Sequence, residues 1–358
     1  MIQLRHFGSH LITSRDSIPN LFQKAILLDR IGFDLLTIGD HNLIPDSQAA
    51  YPNAHTILSS IAMLTKKIKL ATAVTDPFRR HPAEIAQALA TLDEVSGGGR
   101  IFLGIGAGEK MNIAPFGIGW NRPLTSLREA IEVIRLLWSA SPSNPANYHG
   151  RVFSLQSAYL QIRRHVVLPI YIGAAGKSSR ELAGELGDGW ITPADESIQS
   201  LKEHLTDLEH GRKKTRQMRE ANEIDVVVTV YTSISDDIEK AYRDVEIPAK
   251  MQLIQERSVL REFFGIEIPE ELSFQHLDAS TAKTLGKIKD HVHSIPRKIV
   301  EDVVVYGTPD DCIARIENYL RAGASSILIC SVSDESELVF KTYQEQIIPY
   351  LRTNYTLK

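Results

Sequence analysis

Three short stretches hold the residue types that proton transfer and ligand binding need. "TIGDHNL" sets Asp40 beside His41. An imidazole gives or takes a proton near neutral pH, and a neighbouring carboxylate either orients the ring or contacts a bound group. "GIGAGEKMN" runs Gly104, Gly106, Ala107 and Gly108 into Glu109, with Asn112 one helical turn later. Such glycines let the backbone approach a ligand closely. Their spacing nearly reproduces the dinucleotide fingerprint G-x-G-x-x-G, but the third glycine comes one residue early. That fingerprint also requires a βαβ unit and an acid about 20 residues further on. A phosphate loop, a tight structural turn and the floor of another pocket therefore all remain open for this stretch. "YIGAAGKSS" places Gly173, Ala174, Ala175 and Gly176 ahead of a helix whose first turn holds Lys177, Ser178 and Ser179. The free N–H groups of a helix start form an anion site. Between these, "LATAVTDPFRRHP" has small residues at Ala71 and Ala73 that leave room for a flat group. Its Asp76-Pro77 is a turn signal, and Arg79, Arg80 and His81 read as a solvated basic loop before a helix opened by Pro82.

Elements of alternating type must carry these stretches. Eight strand candidates stand at Gln3–Phe7, Leu35–Ile38, Lys69–Val74, Ile101–Leu103, Pro169–Gly173, Gly189–Thr192, Asp225–Thr232 and Ser326–Cys330. Amphipathic helices are expected over Ser17–Ile31, His55–Leu64, Ala83–Leu92, Leu124–Ala140, Ser178–Gly187 and Pro309–Ala322. The last has a full set of start signals: Thr308 as cap, Pro309 in the first position, Asp310 and Asp311 in the first turn. Strand–helix alternation implies a parallel sheet, and eight repeats imply a closed (β/α)8 TIM barrel, with an open doubly wound sheet as runner-up. The whole chain, 1–358, is expected to be one barrel domain. Residues 141–168, a loop and short hairpin, and 234–300, polar and helical, are read as insertions after barrel strands that build or cover the mouth. In such a barrel all the stretches above fall at the C-terminal ends of strands, where its chemistry sits.

Composition sets the outer limits. The 358 residues are 43% hydrophobic and 23% charged, with formal net charge −4, so no basic excess favours nucleic acid or an anionic membrane. Cys312 and Cys330 have no metal-ligand spacing, and no metal site is expected. No signal peptide and no apolar run near 18 residues is visible, which implies a cytoplasmic protein.

Taken together, "LLDRIGFDLLTIGDHNL", "LATAVTDPFRRHPAEIAQALATLDEVSGGGRIFLGIGAGEKMN" and "PIYIGAAGKSSRELAGELGDGWI" resemble the bacterial-luciferase-like superfamily, most closely its coenzyme F420-dependent branch. The likeness covers residues 20–195 and returns weakly in "VYGTPDDCIARIENYLRAGASSILI"; residues 234–300 match nothing in it. It implies an oxidoreductase that passes a hydride between the deazaflavin C5 and a small organic substrate, usually as a homodimer. FMN with oxygen is the alternative cofactor chemistry, as a luciferase-like monooxygenase; a non-catalytic flavin-binding relative is a second alternative. By the resemblance, Asp40 is the acid contacting the deazaflavin ring and His41 the histidine beside the hydride-accepting carbon. Ala73, Val74 and Thr75 match a bulge with a non-prolyl cis peptide behind the ring. Gly106, Ala107, Gly108 and Glu109 match the loop beside the ring, with Glu109 near its pyrimidine end, and Asn112 a polar cofactor contact. Gly173, Ala174, Ala175 and Gly176 match the cradle of the coenzyme phosphate. "GIGAGE" is thus expected to be a cofactor-ring loop, not a pyrophosphate loop.

Two departures bear on substrate. The sugar-phosphate and alcohol dehydrogenases of the branch carry a tryptophan four residues after the histidine; here Pro45 stands there. The sugar-phosphate enzymes also place a lysine after strand six, and "ITPADES" has none. "VTDPFRRHP" is similar to methylenetetrahydromethanopterin-reductase-like members.

Overall fold

A computed structural model of the chain describes residues 3–44, 50–162, 167–215, 224–274, 276 and 282–355. Pro45, and parts of the two expected insertions (163–166, 275 and 277–281), lie outside the described residues. The strands are β1 (His6–Leu11), β2 (Leu35–Ile38), β3 (Lys69–Thr72), β4 (Ile101–Gly106), β5 (Ala146–His149), β6 (Ser154–Ala158), β7 (Ile170–Gly173), β8 (Gly189–Ile191), β9 (Asp225–Ile234), β10 (Val305–Gly307) and β11 (Ser326–Ser331). The first helices are α1 (Ile18–Ile31), α2 (Ala54–Leu64), α3 (Pro82–Val95), α4 (Lys110–Ile113), α5 (Pro123–Ser139), α6 (Lys177–Leu186) and α7 (Ile198–Thr215). There follow α8 (Ile238–Glu256), α9 (Ser258–Phe264), α10 (Ala282–Val292), α11 (Arg297–Glu301), α12 (Pro309–Ala322), α13 (Ser336–Thr342) and α14 (Ile348–Tyr355).

Eight parallel strands run in the order β9-β11-β1-β2-β3-β4-β7-β8, and β8 pairs back onto β9, closing a (β/α)8 barrel. The strands read as continuous apolar runs because both faces are covered. One face packs outward against the helices. On the other, Leu35, Ala71, Phe102, Tyr171, Ile191, Val227 and Leu328, one from each of seven strands, fill the interior. The helix starts follow local chemistry. Ser17 caps α1, His81 caps α3, and Thr308 and Asp311 cap each other at α12.

The eight expected strands all occur, five with bounds moved by one or two residues (β3 ends at Thr72, not Val74) and two with larger shifts. The first begins at His6 rather than Gln3, because the N–H groups of Leu4 and Arg5 are taken by the carbonyls of Tyr355 and Ser325. β4 continues to Gly106, so the glycines after Leu103 belong to the strand. An additional strand, β10, pairs with Thr232, Ser233 and Ile234 at the end of β9. At ten residues β9 outruns the barrel, and its free end offers an edge.

The 234–300 segment does follow a barrel strand, β9. Its helices α8–α11 pack a core of their own around Val245, Leu253, Leu260 and Val300, which also takes in Met111 from α4 and Val332 beyond β11. It therefore spans the mouth between the ends of β4 and β11. The 141–168 hairpin differs: it lies between α5 and β7, not after a strand, and packs on the outer helix layer. Its turn donates the N–H groups of Arg151, Val152 and Phe153 to Glu129 of α5. Among the described residues no helix is long and apolar enough to cross a membrane.

Candidate active site

The mouth is built from the residues that follow β2, β3, β4 and β7. After β2, Asp40 turns its carboxylate inward, toward β3. Its Oδ2 accepts from Thr75 Oγ1 at 2.7 Å and from Arg80 Nη1 at 2.5 Å, and Arg79 Nη2 lies 3.2 Å away. Arg79 in turn holds Asp76 through Nε at 2.5 Å. Asp76 Oδ1 accepts the N–H groups of Phe78 and Arg79, which shapes the turn. Burial alone would raise the Asp40 pKa, but the two guanidiniums and the Thr75 hydroxyl reverse this and hold it below the usual carboxylate range. The arginines expected to be solvated are thus buried partners of Asp40, with side chains 6% and 11% exposed. Sequence reading missed this because the acid that turns them inward sits about 40 residues away.

His41 points into a three-residue set. Its Nδ1 lies 3.0 Å from Asn112 Nδ2 and 3.3 Å from Glu109 Oε2. Asn112 Oδ1 accepts the backbone N–H groups of Asn42 at 2.7 Å and Leu43 at 2.8 Å, which assigns its amide orientation. Its Nδ2 therefore faces His41 and also Glu109 Oε2, at 3.0 Å. In the neutral ring Nδ1 accepts from Asn112 and the proton sits on Nε2; in the imidazolium Nδ1–H donates to Glu109. Either way Nε2 is the nitrogen left for exchange with a ligand. Burial works against charge on His41, yet the adjacent Glu109 carboxylate outweighs it and the net shift is upward. Tyr51, whose ring meets the imidazole edge-on at 5.1 Å, is a neighbour that no local pattern marked.

Behind this set, Ala73 and Val74 form a bulge between β3 and β4, and the peptide joining them is cis. Val74 is seated between two strand glycines. A Cβ on Gly106 would stand 2.8 Å from its Cγ2, and one on Gly173 2.9 Å from its Cγ1. These glycines exist to admit Val74, which then presents its side chain at the barrel mouth. Gly108 has φ +73°, and Trp120 Nε1 closes over the loop by donating to the Ala107 carbonyl at 3.0 Å.

After β7 the Gly173–Gly176 loop is held by its carbonyls. Trp190 Nε1 donates to Ala174 O at 2.8 Å, and Arg180, ion-paired to Asp207 at 2.9 Å, donates to Ala175 O. A Cβ on Gly176 would touch only Ser179 Oγ, so there is free space at the start of α6. The arrangement suits a flat heterocycle against Val74 with an anionic arm at the α6 N-terminus. Unfilled polar valences agree with a ligand here: Ser331 Oγ at the end of β11 and Asp195 Oδ1 beyond β8 are buried without a hydrogen-bond partner among the described residues.

The family model for luciferase-like monooxygenases matches residues 1–326, and the chain belongs to that family. It is 30% identical over 329 residues to a 5,10-methylenetetrahydromethanopterin reductase of Archaeoglobus fulgidus, covering 91% of this chain and 94% of that protein. It is 27% identical over 340 residues to an F420-dependent glucose-6-phosphate dehydrogenase of Amycolatopsis mediterranei, covering 93% and 94%. Among solved structures, the coenzyme F420-dependent tetrahydromethanopterin reductase from Methanopyrus kandleri superposes with a TM-score of 0.79 at 25% identity, over 97% of this chain and 99% of that one. An F420-dependent secondary alcohol dehydrogenase superposes with a TM-score of 0.81 at 22% identity, over 97% and 99%, which speaks for the fold.

Proposed function

We propose that the protein is a coenzyme F420-dependent oxidoreductase that moves a hydride between the deazaflavin C5 and a small organic substrate. The observation that carries this is the His41–Asn112–Glu109 set, gathered from the ends of β2 and β4 on either side of β3, in a chain whose full-length relatives include F420 enzymes. When bound, the deazaflavin supplies a carbon centre that gives or accepts a hydride.

The chain's own residues supply position and protons. Val74, with Ala73 and Thr75, backs the ring, and Ala107, Gly108 and Glu109 flank it. Gly173, Ala174, Ala175 and Gly176 with the α6 N-terminus hold the phosphate. Asn112 fixes the imidazole so that Nε2 faces the reacting group, and His41 exchanges a proton with the substrate there. Glu109 stabilises the imidazolium. Asp40, tied to Thr75 and paired with Arg79 and Arg80, keeps His41's loop in place. Helices α8–α11 exclude water. The reading further takes the protein to be one barrel domain, cytoplasmic and homodimeric; its two free cysteines are buried, in keeping with a reducing compartment.

Titration with coenzyme F420 and, separately, FMN, followed by ligand fluorescence, tests the reading. Tight binding of F420 over FMN is expected. Preferential FMN binding overturns it in favour of the monooxygenase alternative, and binding without hydride transfer to any substrate favours the non-catalytic one. In the F420-loaded enzyme, His41→Asn should leave cofactor affinity intact and lower turnover by about 10²-fold.

A further inference from the structure

Across the barrel from the Gly173–Gly176 loop lies a cavity of about 130 Å³, many times what one water needs. It sits at the ends of β1 and β11, and β1 is four strands from β7 in either direction around the barrel. No residue of the His41 set, of the ring loops or of the phosphate loop lines it.

Its charges are unevenly committed. Lys24 Nζ holds both carboxylate oxygens of Asp16, each at 2.8 Å, so that pair is neutral as it stands. Arg15 gives Nη1 to the Val332 carbonyl at 3.0 Å and makes no other side-chain hydrogen bond or ion pair among the described residues. Most of its guanidinium N–H groups therefore remain open. The remaining carboxylate, Asp334, is exposed at the rim, where water screens it.

The neutral groups of the lining also offer donors. Ser331 Oγ is buried with no hydrogen-bond partner among the described residues. Ser333 Oγ accepts the N–H of Glu335 at 3.2 Å and keeps its own proton to give. His10, with Nδ1 2.9 Å from the Thr37 hydroxyl, adds no charge: burial, then His41, push its pKa down to about 4. Leu11, Ile12 and Phe340 supply an apolar side. A buried hydroxyl without a partner is costly unless a ligand meets it. A guanidinium fork matches the plane of a carboxylate. One open cation balances one negative charge, whereas a phosphate dianion would be left facing Asp16 and Asp334.

We propose that this cavity is a second anion site, binding the carboxylate of a short-chain aliphatic acid through Arg15 and Ser331. The binding goes beyond the oxidoreductase reading and does not rest on it.

Saturation-transfer NMR with propionate as probe, and with propionamide and inorganic phosphate as controls, tests it on the protein alone and loaded with F420. Propionate should bind saturably to both forms and more tightly than either control. Its affinity should fall about tenfold in Arg15→Met, which loses a charged donor, and about threefold in Ser331→Ala. Ser331→Ala removes a hydroxyl that is unfilled without ligand, so thermal unfolding should be unchanged and the loss of affinity is not a loss of fold. No saturable binding, equal affinity in the parent and Arg15→Met, or a control that binds as tightly as propionate overturns the proposal. Displacement of propionate by F420 would give the cavity to a carboxylate of the coenzyme and overturns a separate site.

Discussion

His41 Nδ1 and Glu109 Oε2 stand 3.3 Å apart, brought together across β3 from the ends of β2 and β4, 68 residues distant in the chain. The imidazole is thereby given a carboxylate partner on one nitrogen and left open on the other. The pair sets the pH at which the site changes charge.

Glu109→Gln removes the charge that raises the His41 pKa and leaves burial, which lowers it. A raised histidine stabilises the folded state below its unfolded pKa of about 6.5, and that contribution is lost as pH rises through the folded value. In Glu109→Gln burial leaves the His41 pKa below its unfolded value, so that low-pH stabilisation should disappear, and the corresponding limb of the rate profile should move to lower pH. Histidine NMR titration and turnover against pH measure both; unchanged curves would show that Glu109 does not govern His41.

Asp40 and Arg80 form a buried pair, 2.5 Å apart. Removing the cation in Arg80→Met should cost about 3 kcal/mol in denaturant unfolding. The double variant Asp40→Asn with Arg80→Met should recover part of it, because no buried charge is then orphaned. Asp40 has a depressed folded pKa, so its contribution is present above the unfolded value near 4 and fades as pH falls through the folded value. An additive double variant would dismiss the coupling.

Asn112→Leu strips the acceptor from two backbone N–H groups, those of Asn42 and Leu43. A stability loss of about 1–3 kcal/mol is expected, and with it a fall in turnover at unchanged pH optimum, since Glu109 remains. A shifted optimum with full stability would assign Asn112 a different role.

Gly173→Ala and Gly176→Ala separate two uses of glycine in one loop. At Gly173 the new methyl meets Val74 at 2.9 Å, so Val74 must move, at about 1–3 kcal/mol and with weakened F420 binding. At Gly176 the methyl finds open space at a permitted φ of −93°, so stability should change by less than about 1 kcal/mol while the anion arm is crowded. Thermal unfolding and F420 titration distinguish them; equal effects on stability would mean the Val74 contact yields freely.

Much of the frame was legible because it is local. Apolar strand runs, the Thr308-Pro309 start and the glycine clusters each act over a few residues, so strands and helix α12 fall where their own chemistry puts them. The additional strand β10 was not legible, since three residues gain strand form only from the free end of β9. The basic loop was misread for a similar reason: "RRHP" has the composition of a solvated turn until Asp40 and Asp76 are brought under it.

By itself, then, the sequence determined the alternation that closes a barrel and the residue types at each strand end. Tertiary structure alone decided their assignments. It turned Asp40 away from His41 onto two arginines, gave His41 to Asn112 and Glu109, and seated Val74 on glycines from two other strands. It also left Asp195 Oδ1 buried without a hydrogen-bond partner among the described residues. Each of these depends on distances between chain segments tens of residues apart, which periodicity and spacing do not encode.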